Sequence, residues 1–327
     1  MAAPLAKIGI ISLGDMGSGI AKLLVANGFS VATNVKGRSN DTVERAKSAQ
    51  VELLTSDEDL AQSCSVVLSV VPPRDAVATA QRILDAVTGP VRRSEDNPLY
   101  FADLNAVAPS SVKSIASLFN SSRAGASVRF VDGSILGGPP SPKADSSTSN
   151  GNEWSLPSIP TSGPHSLADI PGYGPKLFAT LNMRHISPEV GAASGLKMCF
   201  ASLSKGLTAL AVQSFATAHR LGVLHDLQDE LRALMPHHYR LTERGVVGMA
   251  PKAYRWVAEM EEIARTLSEE GGFAPDSFVG AAKVYRTVAD DTVLGREKVG
   301  KRRRGTTVED VAAAMAEGMQ SKRKKND

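Results

Sequence analysis

The first apolar run of the chain, residues 8–13, is short, rich in isoleucine and free of charge, the pattern of a strand buried on both faces. The turn Gly14-Asp15-Met16-Gly17 follows, and residues 18–26 repeat their apolar positions at helical spacing until Gly28 stops them. Residues 29–33 read as a second strand, so the chain opens as a βαβ unit with glycines at the first strand-to-helix junction. The alternation continues. Strands are predicted at 65–71, 99–103 and 128–135, with helical segments at 42–47, 76–87 and 109–119. Strands alternating with helices predict a Rossmann-like, doubly wound parallel sheet in an α/β domain.

The pattern then changes twice. Of the 28 residues from 139 to 166, 16 are Pro, Ser or Gly, which predicts an irregular loop with one more strand at 154–159. After Pro188 the strand signal vanishes. Residues 190–224 form a long Ala/Ser/Gly-rich apolar stretch without proline, read as a buried helix, and helical patterns follow at 226–234, 252–268, 275–289 and 308–319. The expected architecture is a cofactor-binding domain over 1–187, then an all-α domain over 188–327 for substrate and dimerisation.

Composition narrows the classes. A chain of 327 residues, 42% apolar and 22% charged, is neither disordered nor collagen-like and is long enough for two domains. No apolar run reaches the ~18 residues that span a bilayer, and the first residues lack a signal-peptide pattern. Cys64 and Cys199 are too few for a disulfide framework, so a cytoplasmic address is expected, with no membrane partner. The pI of 8.8 belongs to the tail. From Arg296 onward ten Lys/Arg face five Asp/Glu, a net +5 in a chain of +3, which leaves the rest near neutral and gives no nucleic-acid surface. The clusters 301–304 and 322–325 resemble nuclear-localisation signals, but a solvated terminus explains them more simply.

The candidate chemistry sits at four places. At the first turn, the G-x-G-x-x-G fingerprint of dinucleotide binding is represented by Ser12, Gly14 and Gly17. Leu13, Gly14, Asp15, Met16 and Gly17 would approach a pyrophosphate at a helix N-terminus. After the second strand, residues 33–39 contain no acid for a ribose 2′-OH. Asn34, Lys36, Arg38 and Ser39 instead suit a 2′-phosphate, which favours NADP over NAD. Lys197 lies in the long apolar helix with no acid three or four residues away on either side, so burial would tend to lower its pKa toward general acid/base use. Lys205 is a rival on the same grounds, and either lysine on an exposed face would simply reach solvent. Arg255 and Glu259, four apart, form an i,i+4 surface pair or a clamp for a substrate anion. His237 and His238 have no companion ligand at metal spacing, so no metal is expected; Cys199 is expected in the core.

These residues together resemble the β-hydroxyacid dehydrogenase superfamily, which includes 6-phosphogluconate and 3-hydroxyisobutyrate dehydrogenases. Gly14 to Gly17 is similar to its G-x-M-G turn, Asp132 to Gly138 to its substrate segment ending in Gly-Gly, and Gly191 to Lys197 to its lysine helix. A less-characterised branch with its own C-terminal domain is more similar still, through Ser69 to Pro73, Asp103 to Ala106 and Arg255 to Ile263. The resemblance implies an NADP-dependent oxidoreductase that moves hydride between nicotinamide and a small hydroxy acid or its oxo partner. It implies proton exchange at Lys197, cofactor contacts from Val71, Pro72, Pro73 and Asn105, and substrate contacts from Ser134, Leu136, Gly137 and Gly138. The site is expected at the carboxyl ends of the strands, and a homodimer through the helical half. Two departures stand out: Leu136 where relatives place Ser, and Phe200 and Ala201 where they place Asn or His. Both make the substrate contacts more apolar. An imine reductase and a non-catalytic NADP-binding protein are the competing readings; relatives that reduce imines lack the lysine.

Overall fold

The structure is a computed structural model that describes residues 3–89, 93–121, 127–143 and 153–326. It forms two compact units, Met1–Lys197 and Met198–Asp327. The first contains β1 (Lys7–Ile11), α1 (Asp15–Ala26), β2 (Ser30–Asn34), α2 (Asn40–Ser48), β3 (Glu52–Leu54), α3 (Asp57–Ser63), β4 (Val66–Ser69) and α4 (Ala76–Thr88). It continues through β5 (Leu99–Asp103), α5 (Pro109–Asn120), β6 (Val128–Gly133), β7 (Ser141–Pro142), β8 (Trp154–Ser155), β9 (Ile159–Ser162), α6 (Gly174–Thr180) and β10 (Met183–Ser187). Helix α7 (Ala192–Leu221) begins in this unit and ends in the next. There follow α8 (Leu224–Leu234), α9 (Pro236–Met249), α10 (Ala253–Glu269), α11 (Asp276–Asp291) and α12 (Val308–Asn326).

Eight strands form one sheet in the order β10-β9-β6-β5-β4-β1-β2-β3. Every pairing is parallel except β6 with β9. Because β1 lies between β2 and β4, the strand order reverses beside it, which is where open α/β sheets leave a crevice at their carboxyl ends. Alternation along each strand fills both faces. Ile8 and Ile10 pack with Ile20 and Leu24 of α1 on one side. Ile11 and Val67 pack with Ile83 and Phe101 on the other.

Two parts of the first unit differ from the sequence reading. The proline- and serine-rich stretch is not irregular throughout: β7 and β8 pair as a small antiparallel ribbon, and β9 enters the main sheet. The expected strand at 154–159 is divided between β8 and β9. Pro160 brings no N–H to the sheet, but its carbonyl accepts from Ser134 N–H at 3.0 Å and the ladder closes around it. Residues 144–152 of that loop lie outside the described residues. The short or polar elements β3, β10, α3 and α6 carry too little periodicity to be read, and so escaped prediction.

The second unit is helical among its described residues. Trp256 of α10 meets Tyr285 of α11 edge-on, with ring centroids 5.2 Å apart. A Cβ on Gly245 would lie 2.4 Å from the Thr208 hydroxyl, so α9, which the sequence reading lacked, crosses α7 at a close approach that needs glycine. Helix α7 is not buried all round: Leu203, Leu210 and Leu221 are 79%, 62% and 71% exposed. Cys199 is exposed too, contrary to its expected place in the core. An Ala/Ser/Gly-rich composition marks a helix that others can approach closely, but it does not say which face they cover. No described helix is long and apolar enough to cross a membrane.

Candidate cofactor and proton-transfer site

The glycine turn has the backbone the fingerprint requires, with one exception in residue type. Ser12 occupies the first glycine position at φ 75°, in the left-handed region that costs a side chain about 1 kcal/mol. Gly17 cannot be replaced, since a Cβ there would sit 2.1 Å from the Ser12 carbonyl oxygen. Gly14 is the N-cap of α1 and brings no side chain to the first-turn N–H groups. A helix of 12 residues thus presents uncapped donors and its positive end at the sheet's crevice, a donor set that fits a pyrophosphate. Leu13 acts through its backbone. Its side chain is buried, and its carbonyl accepts from Arg45 Nε at 2.7 Å, which fixes the turn against α2. Asp15 and Met16 open the helix, half-buried.

At the end of β2, Asn34 shapes the next loop. Its Oδ1 accepts the Lys36 N–H at 2.9 Å, and its Nδ2 donates to Asp57 at 2.8 Å. Ser39 caps α2 by position and shares a 3.1 Å hydroxyl contact with Thr42. Lys36, Gly37 and Arg38 line a polar cleft together with Asp57, Glu58 and Arg82. The last three stood outside the sequence reading, because they come from α3 and α4.

The carboxyl ends of β4, β5, β6 and the adjoining β9 carry a polar row in register: Ser69, Asp103, Asp132 and Ser162. Asn105 ties the row to the loop after β4. Its Oδ1 accepts the Val71 N–H at 2.7 Å, its Nδ2 donates to Ser69 Oγ at 3.0 Å, and its own N–H reaches Asp103 Oδ1 at 3.0 Å. Asn105 therefore holds Val71, Pro72 and Pro73 in place. Asp103 is wholly buried, and its Oδ2 has no hydrogen-bond partner. Burial, helped by the charge on Asp132, pushes its carboxyl up to about 7. Asp132 is better supplied: it accepts from Ser162 Oγ and Ser194 Oγ, both at 2.7 Å, and from Gly191 N–H at 2.8 Å. Burial still raises its pKa, against the pull of those bonds.

This network sets the start of α7. Ser162 Oγ also accepts the Ala193 N–H at 3.0 Å, and Ser134 Oγ donates to the Ala193 carbonyl at 2.9 Å. Ser134 is fully buried, so its hydroxyl serves the helix and is not turned to a ligand. One turn further on, Lys197 Nζ donates to the Ile135 carbonyl at 2.8 Å. The residues just after Ile135 are the rest of the expected substrate segment. Leu136 exchanges two backbone bonds with Ser158, at 2.8 and 2.9 Å, and Gly137 (φ 121°) and Gly138 are exposed. The chain then presses Pro139 and Pro140 onto Gly19 of α1, where a Cβ would come within about 3 Å of both. The first unit thus brings the cofactor turn, the Gly-Gly segment and Lys197 together.

In the second unit the expected Arg255–Glu259 pair does not form. Glu259, 5% exposed, pairs with Lys205 of α7, whose ammonium also lies 5.0 Å from the Trp256 ring centroid. Arg255 lies over Tyr254 instead, at 5.7 Å. The carboxylate faces the interior, where a lysine from another helix is the nearer cation; this partner, 54 residues away, leaves no local trace in the sequence. Lys205 is accordingly a structural cation and not the unpaired rival of Lys197. The 301–304 cluster is partly tied down as well: Arg302 donates to the Val247 and Gly305 carbonyls, and Arg304 pairs with Asp310 at 2.7 Å. Among the described residues, no group of three or more His, Cys, Asp or Glu is placed to hold a metal ion.

The fold has known relatives. Residues 7–145 match the family described as the NAD binding domain of 6-phosphogluconate dehydrogenase, and residues 218–288 match a domain of unknown function, DUF1932. The chain is 26% identical, over 79% of its length and 90% of the other's, to an uncharacterized 28.5 kDa protein in the 7S RNA 5′ region of Methanothermus fervidus. Among solved structures it resembles a conserved protein of unknown function described as structurally similar to 3-hydroxyacid dehydrogenases (26% identity, TM-score 0.56, 87% of this chain and 97% of that one). It also resembles Mycobacterium tuberculosis 3-hydroxyisobutyrate dehydrogenase (16% identity, TM-score 0.62, 95% and 98%). The fold is that of the 3-hydroxyacid dehydrogenases, with a nicotinamide-dinucleotide-binding domain of the 6-phosphogluconate dehydrogenase type followed by a distinct helical domain.

Proposed function

We propose that this chain is an NADP-dependent oxidoreductase acting on a small hydroxy acid or its oxo partner, with Lys197 carrying the proton. The observation that carries the reading is the 2.8 Å bond from Lys197 Nζ to the Ile135 carbonyl, which holds the ammonium beside Leu136, Gly137 and Gly138. The bound nicotinamide supplies the hydride chemistry. The α1 N-terminus receives the pyrophosphate, Lys36 and Arg38 the 2′-phosphate, and the loop at Val71–Pro73 flanks the ring. The exposed N–H groups of Gly137 and Gly138 receive a substrate carboxylate. Lys197 gives its proton to the substrate oxygen as a carbonyl is reduced and takes one as a hydroxyl is oxidised.

The test follows absorbance at 340 nm with NADPH and NADH across a panel of short hydroxy acids, oxo acids and cyclic imines. Turnover of a hydroxy or oxo acid that falls about 10²–10⁴-fold in Lys197→Ala, with cofactor affinity unchanged, is the expected result. Turnover of imines alone, indifferent to Lys197, overturns the dehydrogenase reading in favour of imine reduction. Tight cofactor binding with no turnover of any compound leaves a non-catalytic binder.

We further propose that the chain works as a homodimer paired through α7. Leu196, Phe200, Leu203, Leu207 and Leu210 follow one another along the helix at the alternating spacing of three and four that a helix–helix seam uses, and most are exposed, as is Leu221 at the helix end. Light scattering coupled to size exclusion should give twice the mass of the chain.

A further inference from the structure

The cleft beyond β2 contains an ion pair that the cofactor reading does not use. Asp57, the first residue of α3, is 13% exposed at its side chain and sits against the end of β2. Its Oδ1 accepts from Asn34 Nδ2 at 2.8 Å, and Asn34 in turn holds the Lys36 N–H. A carboxylate therefore stands one hydrogen bond away from the residue at the end of β2. That end is where an acid would receive a ribose 2′-OH and repel a 2′-phosphate. Arg82 of α4 closes on this carboxylate as a fork, Nε to Oδ2 at 2.8 Å and Nη2 to Oδ1 at 2.9 Å. Two parallel N–H···O bonds between planar groups are the geometry in which arginine cancels a carboxylate most completely. The charged groups lining the cleft are Lys36, Arg38 and Arg82 against Asp57 and Glu58, so one cation fewer would leave it without a positive excess.

We propose that Arg82 is a specificity-determining residue that acts through Asp57: by cancelling the Asp57 charge, it lets the cleft accept a 2′-phosphate and prefer NADPH to NADH. The proposal rests on the NADP reading above. Asp57 has two tasks in it, holding Asn34 and, through Asn34, the loop that presents Lys36 and Arg38. Its charge is incidental to both tasks and unfavourable to the ligand. Arg82 is 42% exposed at its side chain on the surface of a helix, so a glutamine there keeps the helix and removes only the fork and the charge.

The experiment is a titration of the full chain with NADPH and with NADH, followed by nicotinamide fluorescence, for the wild type, Arg82→Gln, Arg82→Lys, Asp57→Asn and the double variant Asp57→Asn/Arg82→Gln. Circular dichroism melts confirm that each is folded. Arg82→Gln should weaken NADPH roughly tenfold, the effect of one uncompensated charge a few ångströms from a phosphate in a partly exposed cleft, and leave NADH unchanged or tighter. Arg82→Lys keeps the charge and should retain most of the preference. The double variant should recover NADPH affinity, because the Asp57 charge that Arg82 cancels is gone and Lys36 and Arg38 again exceed Glu58. An Arg82→Gln protein with an unaltered NADPH-to-NADH ratio overturns the proposal. So does a double variant as weak as Arg82→Gln alone, which would make Arg82 a direct phosphate ligand. A wild type that binds neither cofactor, or only NADH, overturns the cofactor reading itself and the proposal with it.

Discussion

The two units of this chain treat their polar and apolar groups in opposite ways. In the first, the sheet is apolar on both faces and the polar groups at its carboxyl edge are bonded to one another, Asn105 to three neighbours and Asp132 to three. In the second, the buried charge of Glu259 is matched within the helices, while large apolar side chains of α7 remain uncovered. Groups that hold a cofactor must be fixed before it arrives, and the first unit fixes Asn105 and Asp132 through internal bonds, leaving Asp103 Oδ2 without a partner. A contiguous apolar helix face in water has the opposite meaning, since it calls for a partner.

The contrast can be broken most severely at Asp132. Asp132→Ala strands the Ser162 and Ser194 hydroxyls and the Gly191 N–H in the interior, and should cost roughly 3–5 kcal/mol in urea unfolding. It should also lower turnover more than cofactor affinity, because Lys197 is placed by the helix that Asp132 starts. Asp103→Asn gives the next largest effect and has a definite sign. The native carboxyl titrates near 7, above its value in the unfolded chain, so the stability it contributes is complete below pH ~4 and is lost as pH rises toward 7. The asparagine variant should therefore gain on the wild type by about 4 kcal/mol between pH 4 and pH 8, read from urea melts at each pH; a constant difference would refute the assignment. For the second unit, Leu203→Glu should raise the dimer dissociation constant about 100-fold while leaving NADPH binding intact, as seen by sedimentation and fluorescence. The smallest change expected is at the turn. Ser12→Gly relieves a left-handed side chain and should stabilise the first unit by no more than about 1 kcal/mol, with cofactor binding kept or tightened.

What the sequence discloses follows the same division. Strands β1, β2, β4, β5 and β6 are legible because burial on both faces forces apolar runs, and the turn is legible because Gly17 has no room for a side chain. Lys197 was found as a cation in an apolar stretch. The bonds that place it were not, since Asp132 reaches Ser162 and Ser194 across 30 and 62 residues, and Arg82 reaches Asp57 across 25. Periodicity reports which side of an element is buried; it is silent on which distant residue answers a buried charge. For the same reason α7 reads as apolar without showing that one of its faces is left open.

The order of the strands also bears on how the chain is made. β6 is flanked on one side by β5, already synthesised, and on the other by β9, which lies late in the proline- and serine-rich stretch. At ~5–20 residues per second, β6 emerges seconds before β9 and stays a free edge in the meantime. Such an edge is the place where a nascent chain pairs with the wrong strand. Asp132 lies near its end, and until Ser162 and Gly191 arrive its charge keeps that end hydrated and opposes an apolar strand settling there. The residue that seals the finished domain thus guards the unfinished one.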